Sequence, residues 1–333
     1  MKPLLRDEPA EPAFSPLAGL DDVCAEHGID PQHLERALYG PAREFLARPG
    51  KAFRARLIEG CFRLAGGAGD SVPQAALEAI ELLHGGSLIV DDIQDDAETR
   101  RGAPALHRTI GTARALNTGN WLYFVALARL DALALAPEVM WRLSQSAHRC
   151  LIRCHEGQAL DLALLVGDLR RGELGSIVNF ISALKTGALT GFAAQLGATA
   201  AGAPPQVAHT LCGFGKQVGV ALQMLDDLGS IVAPGRHHKA LEDLRGQRAS
   251  WVWSWASETL DEHTYRQLLK LLGRESELTT LRERLADAVE PLGRKRVHEA
   301  LTRAERELAP LHAPTSALEA LHAELTRLEH SYG

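Results

Sequence analysis

The chain has 333 residues, of which 46% are hydrophobic and 23% charged, so it can bury a large core and is not a disordered protein. Its formal charge of −6 at pH 7 argues against a general nucleic-acid-binding protein, which would carry a basic excess. The five cysteines are scattered and odd in number, which favours a reducing compartment over a disulfide framework. We therefore expect a cytoplasmic protein with no transmembrane segment and no secretion signal.

In chain order, the first segment is residues 1–16, which contain four prolines and are predicted to form a flexible arm. From residue 17 onward, apolar residues recur at helical spacing, for example in PQAALEAIELLH and GSIVNFISALKTGALTGFAAQLGATA. Alternating strand-like runs bounded by hairpin signals are absent from the sequence. The pattern predicts an all-α fold with one helical domain over residues 17–333.

Residues 91–102 read DDIQDDAETRRG and follow the apolar run SLIV. In a helix, Asp91 and Asp95 lie one turn apart, a spacing of like charges that costs about 0.2–0.5 kcal/mol. A second apolar run, ALQML, is followed by Asp226 and Asp227, so two helices that end in paired aspartates could meet at one rim of a cleft. The alternative is a solvated polar helix end, but paired oxygen-donor clusters favour Mg²⁺, which takes one or two carboxylates plus substrate phosphate.

Basic residues accompany these clusters. They are Lys51, Arg54, Arg100, Arg101, Lys185 and Lys239. Guanidinium groups bind phosphate oxygens through forked hydrogen bonds, so the combined pattern predicts a site for two anionic substrates and their metals. Cys150, Cys154 and His155 could begin a separate metal site. Small apolar residues on one helix face are the favoured interpretation, because no second ligand pair stands nearby in the sequence.

Six motifs occur in order between Gly50 and Arg248: GKAFR, LLHGGSLIVDDIQDDAETRRG, EGQALDL, KTG, QMLDD and KALEDLRGQR. Together they resemble the trans-isoprenyl diphosphate synthases, also called polyprenyl synthetases. The resemblance implies an all-helical bundle around a central apolar cavity, a homodimer and three Mg²⁺ ions. It also implies Mg²⁺-dependent head-to-tail condensation of isopentenyl diphosphate with an allylic diphosphate, giving a longer trans-prenyl diphosphate.

The resemblance assigns roles to individual positions. It implies that Asp91, Asp95 and Asp226 are metal ligands. The positions that match catalytic residues of the family are Asp91, Asp92, Asp95, Arg100, Lys185, Thr186, Gln223, Asp226, Asp227 and Lys239. Those that match the binding set for isopentenyl diphosphate are Lys51, Arg54, His84 and Arg101.

Product length is expected to depend on the residues that precede the first aspartate motif. Gly86 and Ser87 stand five and four residues before Asp91 and are both small. In related enzymes a large aromatic residue at these positions limits the product to fifteen carbons. Its absence favours geranylgeranyl diphosphate, with twenty carbons, although fifteen or more than twenty remain open. A bulky residue on the neighbouring helix, such as Trp121, could form the floor of the tunnel.

One departure from the family pattern keeps two alternatives open. Ser230 stands where the second motif normally ends in a third aspartate. The first alternative is a class I terpene cyclase or an atypical prenyltransferase on the same fold. The second is a catalytically weak subunit, or diphosphate-binding module, of a hetero-oligomeric synthase. Chain elongation is favoured because Lys51, Arg54 and His84 are retained and the first motif is intact. The segment WVWSW, residues 251–255, is expected to serve core packing.

Overall fold

The structure, a computed structural model, describes residues 23–50, 52–67, 72–311 and 313–330. In the first half the helices are α1 Val23–Glu26, α2 Pro31–Leu34, α3 Gly40–Leu46, α4 Phe53–Leu64, α5 Gln74–Gln94, α6 Leu106–Ile110, α7 Thr112–Asp131 and α8 Pro137–Ala163. In the second half they are α9 Leu174–Ser182, α10 Ala188–Ala200, α11 Pro205–Val232, α12 His237–Arg245, α13 Trp251–Thr259, α14 Glu262–Leu269, α15 Leu278–Arg306 and α16 Thr315–His330. The predicted arm, residues 1–16, and Lys51 lie outside the described residues.

Short elements interrupt these helices. Two π-helical turns cover Glu35–Tyr39 and Ala183–Gly187, and four 3₁₀ turns cover Val166–Asp168, Arg171–Glu173, Pro234–Arg236 and Glu275–Glu277. One antiparallel hairpin joins β1, Thr99–Arg100, to β2, Ala103–Pro104. The sequence did not predict this hairpin, because two-residue strands carry no alternating pattern. The all-α prediction is confirmed.

The chain divides into two compact units. The first consists of Met1–Gly50 and Glu81–Arg129, and the second of Lys51–Ile80 and Leu130–Gly333. Both α5 and α7 therefore run from one unit into the other. The expectation of a single domain over residues 17–333 stays a prediction.

The core of the second unit is built on α10 and α11, which pack along each other, while α10 also packs on α4 and α11 on α15. Small residues allow the close approach of α10 and α11. A Cβ atom added at Gly219 would lie 2.4 Å from Thr190 Oγ1, and one at Gly215 would lie 2.6 Å from the Thr190 carbonyl. On α13, Trp251, Trp253 and Trp255 are buried, which confirms the core-packing interpretation of WVWSW.

In the first unit, α5 and α7 cross closely at Gly86 and Gly119. A Cβ atom added at Gly86 would lie 2.7 Å from the Gly119 carbonyl oxygen and 3.1 Å from the Tyr123 ring. The Trp121 ring packs against Tyr39, with the two ring centroids 5.4 Å apart. Glycine at position 86 is therefore needed for helix packing.

By length and composition alone, one stretch of the described residues could cross a membrane, namely Arg171–Ala200, with a mean hydropathy of 1.3 over its most apolar window. Of that window, 61% is buried inside the protein. Core helices of globular proteins have the same property, so the absence of a transmembrane segment stays a prediction.

Candidate active site

The first aspartate cluster forms the last turn of α5. The backbone N–H of Asp95 donates to the carbonyl of Asp91 over 2.9 Å, so the turn continues one residue past the helix end at Gln94. Asp91 is half-buried and Asp95 exposed, whereas Asp92 is fully buried. Two carboxylates one turn apart thus face outward while their neighbour points into the protein.

The buried Asp92 is paired with Arg100. The Arg100 Nε donates to Asp92 Oδ1 over 2.6 Å, and a terminal nitrogen of Arg100 lies 3.8 Å from Asp91 Oδ2. Burial raises the pKa of Asp92, although the hydrogen bond and charge of Arg100 oppose that rise. Asp92 therefore orients Arg100, which in turn lies beside the outward-facing Asp91.

The hairpin that carries Arg100 is held by an arginine to which the sequence analysis gave no role. Arg48 is buried and donates through one nitrogen to the carbonyls of Pro104, over 2.9 Å, and Arg100, over 3.3 Å. Arg101 returns a 3.2 Å hydrogen bond to the Arg48 carbonyl. Arg101 and Gly102 form the loop with φ of 54° and 77°, as a two-residue type I′ hairpin requires. Nothing in the local sequence distinguishes Arg48 from a solvated surface arginine.

The other positions predicted for isopentenyl diphosphate and chain length are divided between the units. His84 is half-buried on α5, and its carbonyl accepts a 2.8 Å hydrogen bond from the Ser87 hydroxyl. Gly86 and Trp121 belong to the crossing of α5 with α7 described above. Arg54 is half-buried on α4, in the second unit.

The second aspartate cluster lies inside α11 and not at its end, because the helix continues to Val232. The expectation that this helix ends at its paired aspartates is therefore wrong. Apolar residues after the pair, of which Leu228 and Ile231 are buried, extend the core-facing stripe.

Asp226 is held between two cations. Arg236 donates to Asp226 Oδ1 over 2.7 Å, and the Lys239 ammonium donates to Oδ2. Burial alone would raise the pKa of Asp226, but Lys239 and Arg236 outweigh it and hold that pKa far below its usual range. The same attraction raises the pKa of Lys239 against the effect of burial. Asp226 is therefore anionic and already partnered by positive charge.

Asp227 has neutral partners instead. Its Oδ2 accepts the backbone N–H of Trp251 over 2.8 Å, and its Oδ1 accepts from Gln223 Nε2 over 2.8 Å. The Thr186 hydroxyl donates to Gln223 Oε1 over 2.8 Å, which completes a chain from Thr186 through Gln223 to Asp227. Burial raises the pKa of Asp227 to about 7. Since Trp251 is the first residue of α13, Asp227 also satisfies one of the free N–H groups at that helix start.

Lys185 lies in the π-helical turn Ala183–Gly187, a distortion that is frequent at functional sites. Its ammonium donates to Asp161 Oδ2 over 2.7 Å, and Arg248 lies 3.7 Å from the same oxygen. A Cβ atom added at Gly157 would lie 2.5 Å from the Lys185 backbone nitrogen, so α8 and the turn are in close contact. Asp161 and Arg248 fall inside motifs that the sequence analysis quoted, but neither received a role there.

Ser230 is buried, and its hydroxyl donates to the Asp227 carbonyl over 2.8 Å. The same hydroxyl is within hydrogen-bonding reach of Asp243 on α12. Burial raises the pKa of Asp243 to about 6, against the opposing charge of Lys239. Asp243 on α12 therefore brings another carboxylate close to Asp226, although α11 carries Ser230 where the family motif has a third aspartate.

The donor set fits Mg²⁺. All candidate ligands are carboxylate oxygens, which hard cations prefer. Among residues 23–50, 52–67, 72–311 and 313–330, no three His, Cys, Asp or Glu side chains are preassembled as a metal site. Mg²⁺ commonly binds through one or two carboxylates plus substrate phosphates, so a pair such as Asp91 and Asp95 meets this requirement.

Comparison with known proteins identifies relatives in sequence. The polyprenyl synthetase profile matches residues 35–289. The chain is 34% identical to geranylgeranyl pyrophosphate synthase 2 of Zymoseptoria tritici over 206 residues, which cover 59% of this chain and 57% of that protein. It is 29% identical to a short chain isoprenyl diphosphate synthase of Methanocaldococcus jannaschii over 246 residues, 72% of either chain. The chain spans only 29–57% of the length of the geranylgeranyl pyrophosphate synthases that it matches from Fusarium fujikuroi, Hypoxylon pulicicidum and Zymoseptoria tritici.

Solved structures share the fold. A geranylgeranyl pyrophosphate synthase of Corynebacterium glutamicum, complexed with isoprenyl diphosphate and magnesium, superposes with a TM-score of 0.78 at 20% identity, covering 91% of this chain and 92% of that one. A polyprenyl synthase of Caulobacter crescentus, complexed with calcium and isoprenyl diphosphate, gives 0.72 at 21% identity, covering 94% and 90%. At these identities the likeness shows the fold alone, whereas the profile covers most of the sequence. This chain belongs to the polyprenyl synthetase family.

Proposed function

We propose that the chain is a Mg²⁺-dependent prenyltransferase that condenses isopentenyl diphosphate head-to-tail with an allylic diphosphate. The product that we propose is a trans-prenyl diphosphate of twenty carbons. The observation that carries the proposal is the charge pattern of the two clusters. Outward-facing carboxylates at Asp91 and Asp95, and the cation-bound Asp226, combine oxygen ligands with nearby Arg and Lys. This combination complements a metal–diphosphate pair.

Metal ions would be held by Asp91 and Asp95 in the first unit and by Asp226 in the second. When bound, Mg²⁺ neutralises diphosphate charge and so favours its departure. The family resemblance implies three ions, and metal titration of the protein with a diphosphate ligand would test that number.

The cations of the chain would bind the diphosphate groups. Arg100 is oriented by Asp92, and Lys185 is oriented by Asp161, so both point in defined directions before substrate arrives. Such preorganised charge stabilises a leaving diphosphate without reorganisation during the reaction. Arg54, His84 and Arg101 would bind isopentenyl diphosphate, as would Lys51.

The hydrogen-bonded chain from Thr186 to Asp227 would orient dipoles toward the allylic cation. Gln223 donates its amide to Asp227 and accepts from the Thr186 hydroxyl, so its rotamer is set from both sides. After the double bond of isopentenyl diphosphate attacks, a proton must leave the adjacent carbon. The departed diphosphate is the base that we propose, and no side chain is required for that step.

Product length is proposed from the crossing of α5 and α7. The space beside Gly86 is taken by the Gly119 backbone and the Tyr123 ring, so α7 supplies the aromatic side chain there. Names of the relatives support a twenty-carbon product, since several are geranylgeranyl pyrophosphate synthases. Replacement of Tyr123 by Ala is expected to lengthen the product, while Phe124→Ala serves as the control because Phe124 is 70% exposed.

We further propose a homodimer. Trp141 and Ile152 on α8 are 64% and 57% exposed, and His148 and His155 are exposed on the same helix. The spacing of 141, 148, 152 and 155 forms one stripe of the kind that pairs helices. A second copy of this chain would cover it. Light scattering should show a dimer that Trp141→Glu weakens, whereas a wild-type monomer at micromolar concentration would contradict the proposal.

The function is tested by incubation of the purified protein with Mg²⁺, isopentenyl diphosphate and C5, C10 or C15 allylic diphosphates, with products sized by mass spectrometry. Linear C20 diphosphate supports the proposal. Cyclic hydrocarbons would favour a cyclase instead. An absence of any Mg²⁺-dependent diphosphate release, with a control synthase active, would favour a non-catalytic subunit.

A further inference from the structure

The hairpin of β1 and β2 is too short to hold its own shape. Each strand has two residues, and even longer isolated hairpins are marginally stable in water. Arg101 in the loop has a φ of 54°, a left-handed backbone that non-glycine residues keep only where their surroundings enforce it. Contacts with the rest of the first unit must therefore fix the hairpin, and with it the side chains of Arg100 and Arg101.

Arg48 contacts the hairpin at both strands and at the loop. Its Nη1 donates to the Arg100 carbonyl on β1 over 3.3 Å and to the Pro104 carbonyl on β2 over 2.9 Å. The Nη1 of Arg101 donates in return to the Arg48 carbonyl over 3.2 Å. One residue thus fixes the backbone of Arg100 and the side chain of Arg101.

The Arg48 side chain is itself held in one orientation. It is only 6% exposed, and its guanidinium lies over the Phe45 ring, 5.1 Å from the ring centroid. Nε and Nη2 donate to Glu44 Oε1 over 3.1 Å and 2.9 Å, which leaves Nη1 for the hairpin. Because the guanidinium is a rigid planar fork, the contacts with Glu44 also set the direction of Nη1.

The backbone that follows Arg48 fits the Arg101 side chain. A Cβ atom added at Gly50 would lie 3.2 Å from both the guanidinium carbon and Nη2 of Arg101, so this guanidinium packs directly on the Gly50 backbone. Burial lowers the pKa of Arg101, and Glu81 opposes that effect. The charges of Arg100 and Arg48 lower it further. Three guanidinium groups thus gather in a largely buried place, which favours a polyvalent anion such as a diphosphate.

We propose that Arg48 is a positioning residue for both substrates, because it holds Arg100 and Arg101 in a fixed relation to each other. The proposal rests on the proposed function, in which Arg100 binds the leaving, allylic diphosphate and Arg101 binds isopentenyl diphosphate. Arg48 acts through the hairpin, since its nitrogens are engaged within the protein. Loss of its contacts would displace both guanidinium groups together, so the signature of this role is a joint rise of two KM values.

The positioning is tested first by hydrogen exchange, which does not depend on activity. Arg48→Met in the full-length protein keeps an apolar stem over Phe45 but removes the donors. Exchange in residues 98–105, measured by mass spectrometry, should become several-fold faster. Glu44→Gln keeps an acceptor oxygen for Arg48 and is the matched control, with exchange as in the wild type. Unchanged exchange in Arg48→Met would overturn the proposal. Should this variant not fold, Arg48→Gln, whose shorter side chain ends before the two carbonyls, takes its place.

The consequence for substrates is tested by initial rates. Arg48→Met should raise the KM for isopentenyl diphosphate and the KM for the allylic diphosphate by about three- to tenfold each, the effect of misplacing one hydrogen-bonding group. Arg48→Lys should recover most of both losses, because one nitrogen makes both hairpin contacts and a single ammonium can replace it. Glu44→Gln should leave both KM values unchanged. A rise in only one KM, or no recovery in Arg48→Lys, would overturn the shared role.

A double-mutant cycle separates positioning from a general structural effect. Arg101→Gln alone should raise the KM for isopentenyl diphosphate, and addition of Arg48→Met should raise it little further, because Arg48 acts on this substrate through Arg101. Two losses that multiply would contradict that route. If the wild type catalyses no condensation, the proposed function fails, and calorimetric binding of inorganic pyrophosphate then compares the wild type with Arg48→Met. Weaker binding by the variant would support positioning, and equal binding would overturn it.

Discussion

The two aspartate clusters differ in how their carboxylates are satisfied. In the first, Asp91 and Asp95 face outward at the end of α5, and only Asp92 is buried, against Arg100. In the second, Asp226 is enclosed by Lys239 and Arg236, while Asp227 binds neutral donors. Similar sequences, DDIQD and DDLGS, thus produce an open cluster and an internally neutralised one. Position along the helix explains the difference, because one pair lies in a last turn and the other lies within a continuing helix.

The largest effect is expected at Asp226. Its replacement by Asn removes the charge that Lys239 and Arg236 neutralise, so kcat should fall by on the order of 10²–10³, as on loss of one preorganised electrostatic stabiliser. Because Lys239 and Arg236 hold the pKa of Asp226 far below its usual range, loss of this charge should also lower the Tm at pH 7, although the 30% exposure of the side chain limits the fall. Steady-state kinetics at several Mg²⁺ concentrations measure the fall in kcat. Asp96→Asn, at an exposed carboxylate of the first unit, is the control, and equal losses in both variants would contradict a specific role.

Asp227 should behave in the opposite way. Asp227→Ala removes the acceptor for Trp251 and Gln223, so the free energy of unfolding should fall by about 1–3 kcal/mol, the cost of leaving buried donors unsatisfied. Asp227→Asn retains an acceptor oxygen and should lose less. Urea denaturation in EDTA measures both variants without metal. If Asp227→Ala were as stable as the wild type, Asp227 would have no structural role, and the proposed difference between Asp226 and Asp227 would be contradicted.

A smaller effect is expected at Asp161. Asp161→Ala removes the partner that orients Lys185, and the KM for the allylic diphosphate should rise about tenfold, as expected for one charge-assisted hydrogen bond of roughly 1.5 kcal/mol. Initial rates with varied allylic substrate provide the measurement. Asp168→Ala, at an exposed carboxylate in the 3₁₀ turn that follows the helix, should leave this KM unchanged. A fall in kcat with no change in KM would assign Asp161 to another step.

The smallest effect concerns an ion pair away from both clusters. Glu324 on α16 accepts from Arg56 on α4 over 2.6 Å. Burial would raise the pKa of Glu324, but Arg327 and Arg56 lower it overall below the ordinary value of 4.5. A lowered folded-state pKa stabilises the fold above pH 4.5, and this contribution is lost as pH falls through the folded-state pKa. Glu324→Gln should therefore cost less than about 1 kcal/mol at pH 7, because the Arg56 and Arg327 side chains are 34% and 51% exposed and water partly screens both ion pairs.

The pH dependence is checked by the Tm of the wild type and Glu324→Gln between pH 7 and pH 3. The difference between them should shrink on acidification. Glu319→Gln, at an exposed position of the same helix, is the matched control. A difference that grows toward pH 3 would contradict the sign of the shift.

The sequence predicted the helical fold because apolar residues recur at helical spacing, and it located both aspartate clusters because carboxylates that follow apolar runs are unusual. The order of the six motifs was sufficient to identify the polyprenyl synthetase family. The sequence did not show that α15, on which Leu281, Leu285 and Val289 are buried, packs onto α11 and α13. The spacing of apolar residues shows which face of a helix is buried, whereas the helix that packs against this face depends on the whole fold.

Only the tertiary structure decided which groups meet. The pairing of Lys185 with Asp161, of Asp227 with the start of α13, and of Arg48 with the hairpin joins residues 24 to 56 positions apart. No local pattern encodes such contacts, because hydrogen bonds between distant segments depend on backbone geometry that many sequences share. Gly86 shows the same limit. From the sequence, its small side chain suggested open space for a longer product. In the folded protein α7 occupies that space, because helices pack closely in protein interiors.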